Sequence, residues 1–265
     1  MRFPLSFTYA QFMHRRKMAK AQRERYPTVL MLEPLYTCNL ACLGCSVERY
    51  SGKLQDRMPV EQCFKAADDC GAPIVNICGG EPTLYPELKE LVDGLIARDK
   101  HIILCTNALK LDSKVYGIIK PTSRLFLMIH LDGMKETHDF VCNREGVFDK
   151  AVEMIKQGKS LGYRIYLNAT VYTRTNVAEI EELCKLTNTL KADGILVSPG
   201  YQYAGRELQK LRRRVDAVPA GHVADRLELL VRLLLVQEDV VLDAGILVAR
   251  RHEDAVGLEC VGELA

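Results

Sequence analysis

The sequence contains no apolar run approaching the roughly 18 residues that span a bilayer as a helix, although 48% of its 265 residues are hydrophobic. No membrane-crossing helix is therefore expected. A secretory signal is not expected either: in "MRFPLSFTYAQFMHRRKMAK" the charges follow the apolar residues, and no small-residue cleavage pattern comes after them. Net charge is low at +2, which removes any bulk electrostatic argument for nucleic acid as a partner. Without export, the ten cysteines read as reduced thiols, metal ligands or small buried hydrophobes rather than as disulfides. The expected location is the cytoplasm.

One local charge excess stands out. Residues 15–25, "RRKMAKAQRER", carry six basic side chains against one Glu, with Phe12 and Met13 just before them. That composition suits a solvated helix that packs across the bottom of the fold, or a helix resting on anionic lipid at the inner face of a membrane. A second local absence lies at the other end: from Leu211 to Ala265 there is no Lys, Ser, Thr, Asn, Phe or Tyr. The break divides the chain into a basic segment 1–27, a core domain 28–205 and an atypical tail 206–265. Within the tail, "LELLVRLLLVQEDVVLDAGILV" has the makings of an apolar helix followed by a strand.

Between these ends, short apolar runs alternate with segments of helical spacing. "TVLMLEPL", "APIVNI", "HIILCTN", "RLFLMIHL", "RIYLNATVY" and "DGILVSP" read as strands. "PVEQCFKAADDC", "PELKELVDGLIARD", a shorter piece from about Ser113, "VFDKAVEMIKQGKSLG" and "VAEIEELCKLTNTL" read as helices. Strand–helix alternation implies an α/β fold with a parallel sheet, either open and doubly wound or curled into a partial barrel.

In such folds functional groups gather at the C-terminal strand ends, and here those ends are polar. They carry Cys38, Cys42 and Cys45; then "CGGEP", Cys78 to Pro82; then Cys105, Thr106 and Asn107; His130 and Asp132; Asn168 and Thr170; and Ser198 to Tyr201. Most of these residue types are also ordinary turn formers or packing thiols, and Cys63, Cys70 and Cys184 fit helix-face packing. The trio differs. A structural zinc site takes four protein ligands, whereas C-x3-C-x2-C supplies three thiolates, enough for three irons of a 4Fe–4S cube with the fourth left open.

The C-x3-C-x2-C loop followed by Gly-Gly-Glu-Pro after the next strand resembles the radical S-adenosylmethionine (SAM) superfamily. That resemblance implies a partial (β/α)6 barrel, a 4Fe–4S cluster on Cys38, Cys42 and Cys45, and SAM consumed as co-substrate. In such enzymes the open iron takes the amine and carboxylate of SAM, and the turn at Gly79, Gly80, Glu81 and Pro82 binds the amine. Glu81 suits an ammonium group. "RYPTVLMLEPLYTCNLACLGC", "CGAPIVNICGGEPTLYPEL", "LCTNAL", "HLDG", "REGVFDKAVE" and "SPGYQY" further resemble the hopanoid C-adenosyltransferases. This implies addition of the 5′-deoxyadenosyl radical to the alkene of diploptene, a membrane lipid, to give adenosylhopane. It also implies an electron donor such as ferredoxin or flavodoxin.

On this reading Cys105 is the hydrogen donor that quenches the adduct radical, while Asn107, His130, Asp132 and Asn168 line the SAM nucleoside pocket. The tail departs from that family, whose members continue into an aromatic-rich region with further cysteines; it reads as truncated or frame-shifted. Two alternatives stand beside this reading: a radical SAM enzyme acting on a peptide or another small molecule, and a non-catalytic metal-binding protein.

Overall fold

The computed structural model describes residues 4–45, 48–171, 176–199, 245–252 and 255–261. Helix α1 (Leu5–Lys20) precedes β1 (Pro27–Leu32), a short α2 (Glu48–Ser51), α3 (Val60–Cys70) and β2 (Ile74–Ile77). Next come α4 (Leu88–Ala97), β3 (His101–Thr106), α5 (Leu111–Lys114), β4 (Leu125–His130), α6 (Lys135–Val141) and α7 (Val147–Ser160). The series ends with β5 (Arg164–Val171), α8 (Val177–Thr189), β6 (Gly194–Pro199), β7 (Gly245–His252) and β8 (Ala255–Val261).

The strands form one sheet in the order β6-β5-β4-β3-β2-β1-β7-β8. β1 to β6 run parallel to their neighbours, giving the expected α/β half-barrel. β7 adds parallel to the outer edge of β1 and β8 closes antiparallel on β7. The strand expected at the end of the apolar tail segment is thus β7. The helix expected before it, and Gly200 and Tyr201, lie outside the described residues.

Strand alternation sorts the side chains onto two faces. Leu30, Leu32, Val75, Ile77, Ile102, Leu104, Leu125, Leu127, Ile129, Ile165, Leu167 and Ala169 join the main core, which also takes Cys63, Ala67, Leu91 and Leu95 from α3 and α4. The residues between them face the concave side. There Ile74, Phe126, Met128 and Tyr166 cluster with Val29, Ile103 and Cys105. Because both faces are covered, the strands read as near-continuous apolar runs.

Helix ends follow their sequence signals. Pro59 precedes α3, and Gly71 closes it in the left-handed region at φ 69°. Asn176 caps α8 by accepting the Ala178 N–H at 3.1 Å. The sequence did not predict α6: its heptapeptide "KETHDFV" buries only His138 and Val141, too short an apolar stripe to show a helical period.

Helix α1 seals the floor of the half-barrel at the N-terminal strand ends. Phe7 is 5% exposed, with its ring 5.4 Å from both His101 and Phe126, edge-on. His14 Nε2 meets the Pro27 carbonyl at 2.9 Å. The opposite side of α1 leaves Leu5, Tyr9, Phe12 and Met13 exposed. The basic helix is therefore at the end of the barrel away from the cysteine loop.

Removing the Phe7 ring opens a cavity against two aromatic side chains, so Phe7→Ala should destabilise the fold by about 3 kcal/mol. Leu5→Ala, at a position 88% exposed, should stay within about 0.5 kcal/mol. Urea unfolding of both variants tests this; equal midpoints would mean that α1 does not seal the floor.

Candidate active site

The three cysteines of the trio lie on the loop leaving β1, and that loop is braced along its length. Cys78 N–H donates to the Leu32 carbonyl, Gly80 N–H to Leu35 and Glu81 N–H to Thr37, each at 2.9 Å. The Gly-Gly-Glu turn thus runs as an extra rung beside residues 32–37. Thr37 also pairs with Ser51, and its hydroxyl donates to the Gly52 carbonyl at 2.8 Å. Further along, Leu43 N–H reaches the Val141 carbonyl at 2.8 Å.

Gly79 explains why the turn needs glycine. Its φ is 109°, and a Cβ there would stand 2.5 Å from the Leu35 carbonyl oxygen. The close approach is to the chain's own backbone, which any side chain would push away.

Glu81 is 1% exposed. Its carboxylate accepts the Thr83 N–H at 3.0 Å, the Thr83 hydroxyl at 2.6 Å, the Thr106 hydroxyl at 2.7 Å and the Asn107 N–H at 2.8 Å. Burial pushes its pKa up, against the pull of these donors. Pro82 is buried and opens the single turn Pro82–Leu84 that presents the Thr83 donors. The carboxylate therefore binds the turn to the end of β3. Asn107 continues the brace, donating its side-chain amide to Asn39 Oδ1 at 2.7 Å and lying 3.9 Å from the Cys38 sulfur.

Sequence reasoning passed over Glu33, 4% exposed. Its carboxylate accepts the Tyr36 hydroxyl at 3.0 Å and lies 3.9 Å from the Cys78 sulfur. A Cβ on Gly79 would touch it. Its signal was a carboxylate extending an apolar run, in "LMLEPL".

The described cysteines outside the tail stand outside any disulfide; Cys38 and Cys42 are half-buried and Cys45 exposed. Burial pushes the Cys38 thiol up to about 12, and the neighbouring charges of Glu81, Cys42 and Cys45 add to this, while the Leu40 N–H, 3.4 Å from its sulfur, pulls it down. Among the described residues no three His, Cys, Asp or Glu side chains converge on a single-ion site. A cube does not need that, because each thiolate holds a different iron. Three thiols outside any disulfide on one braced loop, with an N–H aimed at one sulfur, fit such a group.

His130 and Asp132 form the opposite wall. His130 Nε2 stands 2.7 Å from Asp132 Oδ2, close enough for an ion pair. Burial alone would lower the His130 pKa; the Asp132 carboxylate more than reverses this and pushes it up to about 9. Asp132 Oδ1 accepts the Thr170 N–H at 2.7 Å, tying β4 to β5. Asn168 is half-buried and in register with His130. Ser198 ends β6.

Cys105 faces the concave side, half-buried. Its S–H points to Asn76 Oδ1 at 3.1 Å, and Asn76 Nδ2 in turn approaches the Met31 sulfur at 3.2 Å. Burial pushes the thiol up to about 12, so it keeps its hydrogen at neutral pH.

Comparison with known proteins agrees with this arrangement. The model of the radical SAM superfamily matches residues 32–187. The mycofactocin maturase of Mycobacterium tuberculosis is 32% identical over 168 residues, 61% of this chain and 42% of that protein. Fe-coproporphyrin III synthase of Methanosarcina barkeri is 25% identical over 193 residues, 68% of this chain and 48% of that one. This chain thus spans less than half the length of either. Crystalline Streptococcus suis SuiB bound to SAM has the same fold, with a TM-score of 0.66 at 20% identity over 91% of this chain and 54% of that one. These relatives lend no support to the hopanoid C-adenosyltransferase resemblance.

A pH prediction follows from His138, whose ring is 1% exposed. Burial, followed by the nearby His130 charge, lowers its pKa from 6.5 to about 4. Between those values the unfolded chain binds the proton and the folded chain does not, so stability must fall as pH drops through that window. His130 adds nothing there, because its raised pKa contributes stability that is complete below 6.5 and lost only as pH rises towards 9. NMR titration of the His138 ring in the metal-free protein should show it neutral down to about pH 4. A midpoint near 6.5 would contradict this.

Proposed function

The chain belongs to the radical SAM superfamily, and from that membership we propose that it cleaves SAM reductively and delivers the 5′-deoxyadenosyl radical to a substrate on the concave face. Members use a 4Fe–4S cluster and SAM; when bound, the cluster supplies the electron that breaks the SAM carbon–sulfur bond. The observation that carries this reading is the braced three-thiol loop over a concave face with polar strand ends. Cys38, Cys42 and Cys45 would hold three irons and leave the fourth for SAM.

The remaining roles belong to the chain's own groups. The turn at Gly79, Gly80, Glu81 and Pro82 takes the methionine end of SAM. Since Glu81 is engaged by four chain donors, its task is to fix the turn's backbone, and Glu33 beneath it supplies acid charge toward the ammonium. His130, Asp132 and Asn168 form the wall proposed for the nucleoside, and Asn107 holds β3 to the cysteine loop. An external one-electron donor of ferredoxin or flavodoxin type completes the set.

For the substrate, the comparisons favour a peptide. The mycofactocin maturase is a named relative, and so is the subtilosin biosynthesis protein AlbA of Bacillus subtilis, 26% identical over 171 residues. One observation keeps adenosyl transfer to an alkene such as diploptene as the second reading: the Cys105 S–H on the concave face. An enzyme that takes hydrogen from its substrate and ends on an oxidised product has no use for a second hydrogen donor beside the radical. Radical addition to an alkene leaves a carbon radical that requires one. In that reading the exposed apolar and basic side of α1 is a peripheral contact with anionic lipid. It lies at the barrel floor, so it would tether the protein without placing the mouth on the bilayer.

Each of Cys38→Ala, Cys42→Ala and Cys45→Ala should abolish SAM cleavage in anaerobically reconstituted protein, whereas Cys63→Ala, in the core, should retain it. Full cleavage by any trio variant would overturn the cluster assignment. Mass spectrometry of products separates the substrates: free 5′-deoxyadenosine with an altered peptide supports the first reading, and adenosine carbon retained on diploptene supports the second. In the second case Cys105→Ala should still consume SAM while losing most of the saturated product, and an undiminished yield would remove Cys105 from the chemistry.

A further inference from the structure

Met31, Asn76 and Cys105 form a row across three neighbouring strands. Met31 pairs in register with Asn76, and Asn76 with Ile103, two residues before Cys105. Side chains two apart on a strand share a face, so all three lie on the concave side, each half-buried. Asn76 Oδ1 is 3.1 Å from the Cys105 sulfur, and Asn76 Nδ2 is 3.2 Å from the Met31 sulfur. The row ends near the cysteine loop: Asn107, about 7 Å of strand beyond Cys105, donates to Asn39 Oδ1.

The chemistry of the three groups sets the direction of both bonds. A thioether sulfur only accepts, so the amide nitrogen is the atom that faces Met31. Turning the amide over would set its oxygen against that sulfur, two acceptors in contact. Met31 therefore pins the amide, and the oxygen left facing β3 takes the Cys105 S–H as its donor. Donor and acceptor stand side by side on adjacent strands, so the S–H lies along the sheet surface rather than out into the bowl.

A thiol on this face is a hazard wherever a carbon radical is released above it. The C–H bond that a primary radical such as 5′-deoxyadenosyl forms is stronger than the S–H bond it breaks, so a freely turning thiol would quench the radical before it reached a substrate. We propose that Asn76 is a positioning residue that holds the Cys105 hydrogen out of the path of the 5′-deoxyadenosyl radical, with Met31 fixing the amide in the holding orientation. This inference rests on the reading of the chain as a SAM-cleaving enzyme, and it serves either substrate. In the side reaction that the hold suppresses, the radical carbon takes the hydrogen atom, which gives 5′-deoxyadenosine and a Cys105 thiyl radical. One electron from the external donor and one proton from solvent return that sulfur to the thiol.

Two measurements test the proposal. In the metal-free protein, the Cys105 S–H stretch, isolated by subtracting the Raman spectrum of Cys105→Ala, should sit at the low frequency of a hydrogen-bonded thiol and move up in Asn76→Leu. In reconstituted protein cleaving SAM in D2O without substrate or added thiol, Cys105 carries deuterium, and the mass of the 5′-deoxyadenosine reports how much of it reached the radical. Asn76→Leu should raise that deuterium content about fivefold, the factor that one neutral hydrogen bond supplies, and Met31→Leu should raise it less. Asn76→Asp, which keeps an acceptor, should stay near the parent, and Asn76→Leu combined with Cys105→Ala should return to it. Parent-level deuterium in both Asn76→Leu and Met31→Leu would overturn the proposal, as would a rise that persists without Cys105 or a stretch that does not move. A parent protein that cleaves no SAM would instead overturn the functional reading, and the proposal with it.

Discussion

The active end of the half-barrel is organised around one buried carboxylate. Glu81 gathers the Thr83 N–H and hydroxyl from its own turn, and the Thr106 hydroxyl and Asn107 N–H from the end of β3. A carboxylate at 1% exposure is unfavourable unless hydrogen-bonded, and the same low dielectric makes its satisfied bonds strong. The Gly-Gly-Glu turn cannot move without breaking them. Since that turn is the rung against which residues 32–37 lie, the position of Cys38 depends on a side chain that does not touch it. Asn107 closes the circuit through Asn39.

Around this brace, the two faces of the sheet divide the work. The convex face is apolar and supplies the stability of the fold. The concave face changes along each strand, from aromatic and aliphatic at the floor, where Phe7 meets His101 and Phe126, to polar at the mouth with Cys105, His130 and Asn168. Parallel strands place like positions at one end, so this gradient, repeated from strand to strand, produces a bowl with a dry base and a hydrogen-bonding rim.

Much of this was legible in the sequence, for identifiable reasons. Six parallel strands announce themselves because burial on both faces makes them apolar runs, and the polar residues just past each run are the rim. The trio is legible because its spacing has few other uses. What stayed hidden depends on contacts between distant segments. Helix α6 lacks an apolar period; Glu33 looks like a strand-end charge; Asn76 is one polar residue inside an apolar run. Glu81 was found by its motif, but its four donors from the chain were not, because two of them come from the end of β3 rather than from its own turn. The packing of α1 across the barrel floor was legible as an alternative, but the residue that makes the seal was not, because Phe7 lies inside a segment whose composition speaks of solvent and charge.

The thiols show how environment, rather than residue type, assigns chemistry. Burial pushes Cys38 and Cys105 alike up to about 12, yet the consequences differ. Beside Cys38 stand Cys42, Cys45 and the Leu40 N–H, a setting in which a metal displaces the proton and the thiolate then has a donor waiting. Beside Cys105 stand the Asn76 side chain, which accepts its S–H and in turn approaches Met31, and the charge of Glu81. Burial and that charge outweigh Asn76, which alone pulls the pKa down, so the sulfur keeps its hydrogen.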